Sequence, residues 1–184
     1  MDILTKEELN LQKKKILQKI KRGDVFISPT DTIYGLTCDA TKENSVAEIR
    51  KIKNRPNSPL SIIVPSINWI RENCFVDKKV ETWLNKLPGP YTLILKLNNK
   101  NSIAKNVAPG TDSIGIRFPN HWFTKFLQEL NFPLITTSVN KTGEQFMTSL
   151  ENLDEEIKKK VKFIIYENKK EVSPSKIINV EKEE

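Results

Sequence analysis

Four groups of polar and charged residues interrupt the apolar pattern of this chain at points where chemistry could be done. Arg117 closes the run Ile114–Gly115–Ile116 and stands two residues before Pro119. That place predicts a charge directed from the edge of a sheet into a cleft. A planar guanidinium there suits a bidentate hold on a carboxylate or phosphate, with a buried salt bridge as the competing explanation. Lys53 and Arg55 fall on a loop stiffened by Pro56 and Pro59. Their charges could hold a triphosphate, although such pairs are most often solvated surface. Thr30, Asp31, Thr32 and Tyr34 follow directly on an apolar strand. Loops at strand ends carry function on a rigid scaffold, and the same residue types also serve ordinary turns. The segment Thr136–Gly143 sets hydroxyls and an amide at another strand end, suited to hydrogen bonding with a ligand or a neighbouring loop.

Other chemistries lack their residues. The sequence contains no G-x-x-x-x-G-K-[ST], no G-x-G-x-x-G and no G-x-S-x-G, so P-loop, dinucleotide-fold and serine-hydrolase signatures are missing. His121 is the sole histidine and has no nucleophile or carboxylate near it in sequence. It reads as a helix cap or surface residue rather than a general base. Cys38 and Cys74 belong to no C-x-x-C pair, which argues against a Cys/His zinc site. Catalysis on such a chain would rest on positioning and charge neutralisation.

These residues need elements to hold them. Thr5 and Glu8 form a capping box for a helix reaching about Arg22, and Gly23 stops it. Val25–Ser28 reads as a buried strand. A helix is expected over Lys42–Ile52, then a proline loop, then a strand at Leu60–Val64. Val80, Trp83, Leu84 and Leu87 mark a helix ending at Pro88, and Tyr91–Leu97 is the clearest strand. Ile114–Arg117, Leu134–Val139 and Lys162–Tyr166 are further strands, and Lys176–Val180 a last short one. Trp122 to Leu130 patterns as a helix, and a Lys- and Glu-rich helix precedes Lys162. The alternation, with adjacent strands near the middle, predicts an α/β fold: a single-domain twisted mixed β-sheet with packed helices and an open cleft at strand ends.

The bulk numbers set outer limits. With 184 residues, 38% hydrophobic and 29% charged, the chain suits one hydrophobic core. No apolar run approaches the ~20 residues that cross a bilayer, and no signal-like leader opens the chain. Two unpaired cysteines then point to a reducing, cytoplasmic setting with no membrane contact. The net charge of +7 permits an RNA partner, but the lysines are spread widely and establish none.

In order, the motifs resemble those of the threonylcarbamoyl-adenylate synthase family, the stand-alone YrdC/Sua5-type domain. P-T-D-T-I-Y-G-L (29–36) is similar to that family's P-T-[ED]-T-[VI]-Y-G-L, and K-N-R-P (53–56) to its K-x-R-P. L-P-G-P-Y-T-L-I-L, I-G-I-R-F-P and T-S-V-N resemble three more of its motifs, over roughly Gly23 to Val180. The resemblance implies a YrdC-like domain over 1–184, core about 23–180, without the C-terminal domain of the longer Sua5 type. It implies formation of threonylcarbamoyl-AMP and pyrophosphate from L-threonine, bicarbonate or CO2, and ATP with Mg2+. Threonylcarbamoyl-transfer proteins would then carry the group to adenosine 37 of tRNA. By motif match Thr32, Arg117, Thr136 and Ser175 would take threonine, while Lys53, Arg55, Ser113, Ser138 and Asn140 would take ATP. No general base and no protein metal ligand is implied. Departures lie at R-P-N-S-P, one residue short of R-P-x-x-N-P, at Phe146–Met147, and at P-S-K-I-I, where Lys176 replaces a threonine.

Two other readings compete. A non-catalytic RNA-binding module of the same fold would use the basic charge, but no aromatic stacking motif accompanies it. A related carbamoyl-chemistry enzyme, or a paralogue without synthesis, sits poorly with a chain keeping both K-x-R and S-x-N.

Overall fold

A computed structural model describes residues 1–183. Its strands are β1 (Asp2–Leu4), β2 (Phe26–Ser28), β3 (Gly35–Asp39), β4 (Ser61–Ile63), β5 (Tyr91–Lys96), β6 (Ser113–Arg117), β7 (Leu134–Ser138), β8 (Phe163–Ile165) and β9 (Lys176–Asn179). They form one sheet in the order β1-β8-β2-β3-β7-β4-β6-β5-β9. Neighbours β1/β8, β2/β8, β4/β6 and β5/β9 run parallel, and β2/β3, β3/β7, β4/β7 and β5/β6 antiparallel. The sheet is therefore mixed, as the alternation of elements predicts.

Among the described residues seven α-helices accompany it: α1 (Lys6–Leu11), α2 (Lys13–Arg22), α3 (Glu43–Lys53), α4 (Ile67–Asn73), α5 (Lys78–Leu84), α6 (Trp122–Leu127) and α7 (Glu155–Lys160). Because side chains alternate along a strand, the sheet has two different faces. One carries Ile27, Leu36, Cys38, Ile62, Leu93, Ile116, Ile135, Ile164 and Ile178, packed with Val46, Ile49 and Ile52 of α3, Ile70 of α4, Leu84 of α5 and Ile157 of α7. The other is apolar only in part. There Leu4, Phe26, Ile63, Leu134, Phe163 and Ile165 pack with Leu9, Ile16, Ile20, Phe123, Phe126 and Leu127 of α1, α2 and α6. Away from these helices that face carries small residues, among them Ser61, Thr92, Gly115, Thr136 and Ser138.

Several sequence expectations need correcting. The first helix is two: Gln12 breaks it, and its side chain caps nothing. The Thr5–Glu8 capping box is present at the start of α1. Helix α3 extends one residue further than expected and ends on Lys53, with Asn54 left-handed at φ 51° closing it. Lys53 therefore belongs to the helix, not to the proline loop. Strand β6 lies between β4 and β5, so Arg117 leaves the interior of the sheet rather than its edge. β1, β3 and α4 are elements that the sequence pattern does not announce. His121 is the N-cap of α6, its Nδ1 accepting from Phe123 N at 3.1 Å, which agrees with the capping role expected of it. Both cysteines are buried thiols, and burial pushes that of Cys74 up to about 12. Among the described residues no helix is long and apolar enough to cross a membrane.

Candidate active site

The small-residue part of the sheet face is the floor of a cavity of about 230 Å³. Neighbouring strands contribute small residues to it, Gly35 of β3, Thr136 of β7, Ser61 of β4 and Thr92 of β5, and Gly115 of β6 lies against Ser61 and Thr92. The pairing register sets these side by side, with Thr136 opposite Ser61 and Thr92 opposite Ile177 of β9. Two of the positions have room only for glycine. A Cβ on Gly35 would meet Thr136 Oγ1 at 2.7 Å, and one on Gly115 would meet Ser61 Oγ at 2.5 Å.

Charge enters from the side. Arg117 Nη2 donates to Asp31 Oδ1 at 2.6 Å, and Nη1 to Thr32 Oγ1 at 3.2 Å. Asp31 is fixed in turn by Asn120 N at 3.1 Å. Burial lowers the Arg117 pKa, while Asp31 opposes that shift. Its Nε is buried without a partner. The buried salt bridge expected as one reading of Arg117 is present, and Arg117 also lines the cavity. Thr30 and Thr32 are tied at 3.1 Å between hydroxyls, and Thr30 Oγ1 donates to Ile33 O. The Pro29–Leu36 segment is therefore a locked turn leading into β3, and it also forms one wall of the site.

The stretch 166–175 runs between β8, next to one edge of the sheet, and β9, which is the other edge, and its end reaches the cavity. Tyr34 Oη donates to Asn168 O at 2.6 Å and accepts from Glu167 N at 3.1 Å. Lys170 Nζ donates to Thr30 O at 3.0 Å. Ser175 shares a 2.6 Å hydrogen bond with Thr92, and Pro174, Ser175 and Ile177 line the cavity.

Of the residues singled out in the sequence, Thr32, Arg55, Arg117, Thr136, Ser138 and Ser175 meet at this cavity. Lys53, Ser113 and Asn140 do not line it. Lys53 is 2% exposed, and its ammonium donates to Ser138 O at 2.6 Å, Asn140 Oδ1 at 2.8 Å and Asn140 O at 3.0 Å. Burial, then the charge of Arg55, lowers its pKa to about 8. Arg55 makes a single side-chain bond, Nη2 to Pro59 O at 3.0 Å. Sequence reasoning missed Ser61, Thr92 and Ile177. Strand alternation beside Thr136 and Arg117 was the available signal, but only the pairing register turns it into a surface. A more open cavity of about 570 Å³ lies near Leu97, Lys100 and Asp112 and takes in none of the predicted residues.

The Sua5/YciO/YrdC family model, described as telomere recombination, matches residues 18–184, and this chain belongs to that family. A Methanocaldococcus jannaschii protein with the provisional name threonylcarbamoyl-AMP synthase is 39% identical over 183 residues, 95% of this chain and 85% of its own. The Bos taurus threonylcarbamoyl-AMP synthase is 28% identical over 139 residues, 74% of this chain and 50% of that protein. A solved structure of P. abyssi Sua5 complexed with L-threonine superposes with a TM-score of 0.85 at 26% identity, covering 97% of this chain and 53% of that one. The chain thus spans about half the length of the bovine protein and of the P. abyssi chain.

Proposed function

We propose that this chain is an L-threonylcarbamoyladenylate synthase, joining L-threonine, bicarbonate or CO2, and ATP to give threonylcarbamoyl-AMP and pyrophosphate for tRNA modification. The observation that carries the reading is the pairing, in one cavity, of a buried Arg117 with an unused Nε donor and a nearly unengaged Arg55, over a floor of hydroxyls. The first suits an amino-acid carboxylate and the second a polyphosphate. Relatives named threonylcarbamoyl-AMP synthase and a Sua5 complex with L-threonine support it.

On the threonine side, Arg117 receives the carboxylate, and Asp31 keeps the guanidinium plane fixed. Thr32, Thr136 and Ser175 offer hydroxyls to the rest of the amino acid. Holding the carboxylate sets the neutral amine where its nitrogen can add to CO2 as a carbamate, the N–H proton passing to solvent. The carbamate oxygen then attacks the α-phosphorus of ATP, the bond to the β-phosphate oxygen breaks, and pyrophosphate leaves. Arg55 neutralises charge moving onto that leaving group. Ser138 faces the nucleotide side, and Ser113 shares the open face two residues from Gly115.

Mg2+ fits this donor set as an ion that arrives with the phosphates. Among the described residues no group of three or more His, Cys, Asp or Glu is placed to hold a metal. Hard cations of this kind keep waters and take most ligands from substrate phosphates. Bound there, Mg2+ would supply further charge neutralisation at the polyphosphate.

The test is pyrophosphate release by purified protein. It should require ATP, L-threonine, bicarbonate and Mg2+ together, and release indifferent to threonine sinks the reading.

A further inference from the structure

Lys53 is placed unlike a phosphate ligand. An ammonium has three donors and no acceptor, and Lys53 has three oxygens within 3.0 Å, one from the last residue of β7 and two from Asn140 in the turn after it. Its own carbonyl accepts from Thr142 N at 2.9 Å and Thr142 Oγ1 at 3.0 Å. The last residue of α3 thus grips the 138–142 turn by both main chain and side chain.

That grip has a consequence for polarity. Because an ammonium can only donate, the Asn140 side-chain atom at 2.8 Å must be its oxygen. The amide orientation is then fixed, with Nδ2 donating to Glu144 O at 2.7 Å. Asn140 Oδ1 also lies 2.7 Å from Ser138 Oγ. An amide oxygen can only accept, so the Ser138 hydroxyl must spend its single proton on Asn140. Toward the cavity Ser138 has lone pairs only. It therefore accepts from whatever it meets, and a bare phosphate oxygen, itself an acceptor, is a poor match.

We propose that Lys53 and Asn140 are positioning residues that make Ser138 a hydrogen-bond acceptor for a donor group on the nucleotide, such as a hydroxyl, while Arg55 alone of the K-x-R pair meets the phosphates. This rests on the synthase reading for the identity of the nucleotide, but the division of labour within the K-x-R pair does not.

Titration calorimetry with inorganic pyrophosphate and Mg2+ separates the two cations. Lys53→Met should bind within about twofold of wild type, whereas Arg55→Ala should weaken binding at least about tenfold. Comparable weakening by both variants overturns the proposal, and so does a wild type that binds no pyrophosphate. For turnover, kcat/KM for ATP should fall about tenfold or more in Lys53→Met and in Asn140→Ala, and the double variant should be no worse than the poorer single one. Losses that multiply overturn it. If Lys53→Met does not fold, Asn140→Asp and Asn140→Leu decide. The aspartate keeps an acceptor for both neighbours and should retain turnover within about threefold, while leucine loses it; equal losses overturn the proposal. Wild type that binds pyrophosphate but releases none with threonine counts against the synthase reading only. In that case the unfolding midpoints decide: Lys53→Met and Asn140→Ala should lower them non-additively, and additive drops overturn the coupling.

Discussion

At the residue scale the site depends on two cations handled in opposite ways. Arg117 is 5% exposed, ion-paired, and left with one buried donor unused. A buried unsatisfied donor costs roughly 1–3 kcal/mol, a cost that a bound carboxylate would remove. Arg117→Ala should therefore raise the KM for threonine by about 10- to 100-fold in a pyrophosphate-release assay. Arg117→Lys should not restore it, because a point ammonium cannot hold Asp31 and a ligand in one plane. Lys53 gives a second expectation, in pH. Its charged form is disfavoured by burial and by Arg55, the charged neighbour that faces it, so it loses its proton near 8, well below the ~10.4 of an unfolded lysine. Between those values the unfolded chain binds more protons, so this group's contribution to stability rises with pH. Turnover should do the reverse and fall through about pH 8 as the grip on Asn140 weakens. A turnover profile flat from pH 7 to 9 would contradict the assigned role.

At the element scale, what matters is which strand faces are small. Gly115 illustrates this: a methyl there would sit 2.5 Å from Ser61 Oγ and 3.0 Å from Thr92 Cγ2. Gly115→Ala should destabilise the protein by about 1–3 kcal/mol, as overpacking does, with a thermal melt as the measure. Adding Ser61→Ala should recover part of the loss, since it removes the shortest contact. Much of this level was legible in sequence. The strands expected to end at Ser28, Arg117 and Val139 were visible, the last running one residue past β7, and with them the positions of the charged and hydroxyl groups. Strand β3 was not, because Gly35–Asp39 alternates Leu36 and Cys38 with the buried hydroxyl of Thr37, whose partner is Ser28 at 2.7 Å. A polar pair hidden on a sheet face reads locally as loop. Nor was it legible that Lys53 turns inward, since its partners lie 85 and 87 residues away.

At the scale of the whole molecule, the open face is bounded by a chain segment that runs from near one edge of the sheet to the other. Nothing in the sequence of 166–175 marks that path; it follows from β8 and β9 lying so far apart in strand order. Glu167 anchors the near end. Against the upward push of burial, hydrogen bonds from His121, Lys170 and Trp122 hold its carboxyl down at about 2. His121 Nε2 lies at 2.8 Å and Trp122 Nε1 at 2.7 Å, so the strap is tied to the start of α6. Lys170 bridges the same carboxylate to Thr30 O on the Pro29–Leu36 wall. The folded pKa lies below the ~4.3 of an unfolded glutamate. The stabilisation is therefore full above that value and is lost as pH falls towards 2. Glu167→Gln removes the charge and should lower the melting temperature at pH 6. The gap from wild type should narrow as pH falls from about 4 towards 2. Because the strap also carries Ser175 to Thr92, the same variant should raise the KM for threonine more than that for ATP. A melting gap that does not change with pH would show that Glu167 acts by packing alone. An unchanged threonine KM would separate the anchored end of the strap from the site that its other end lines.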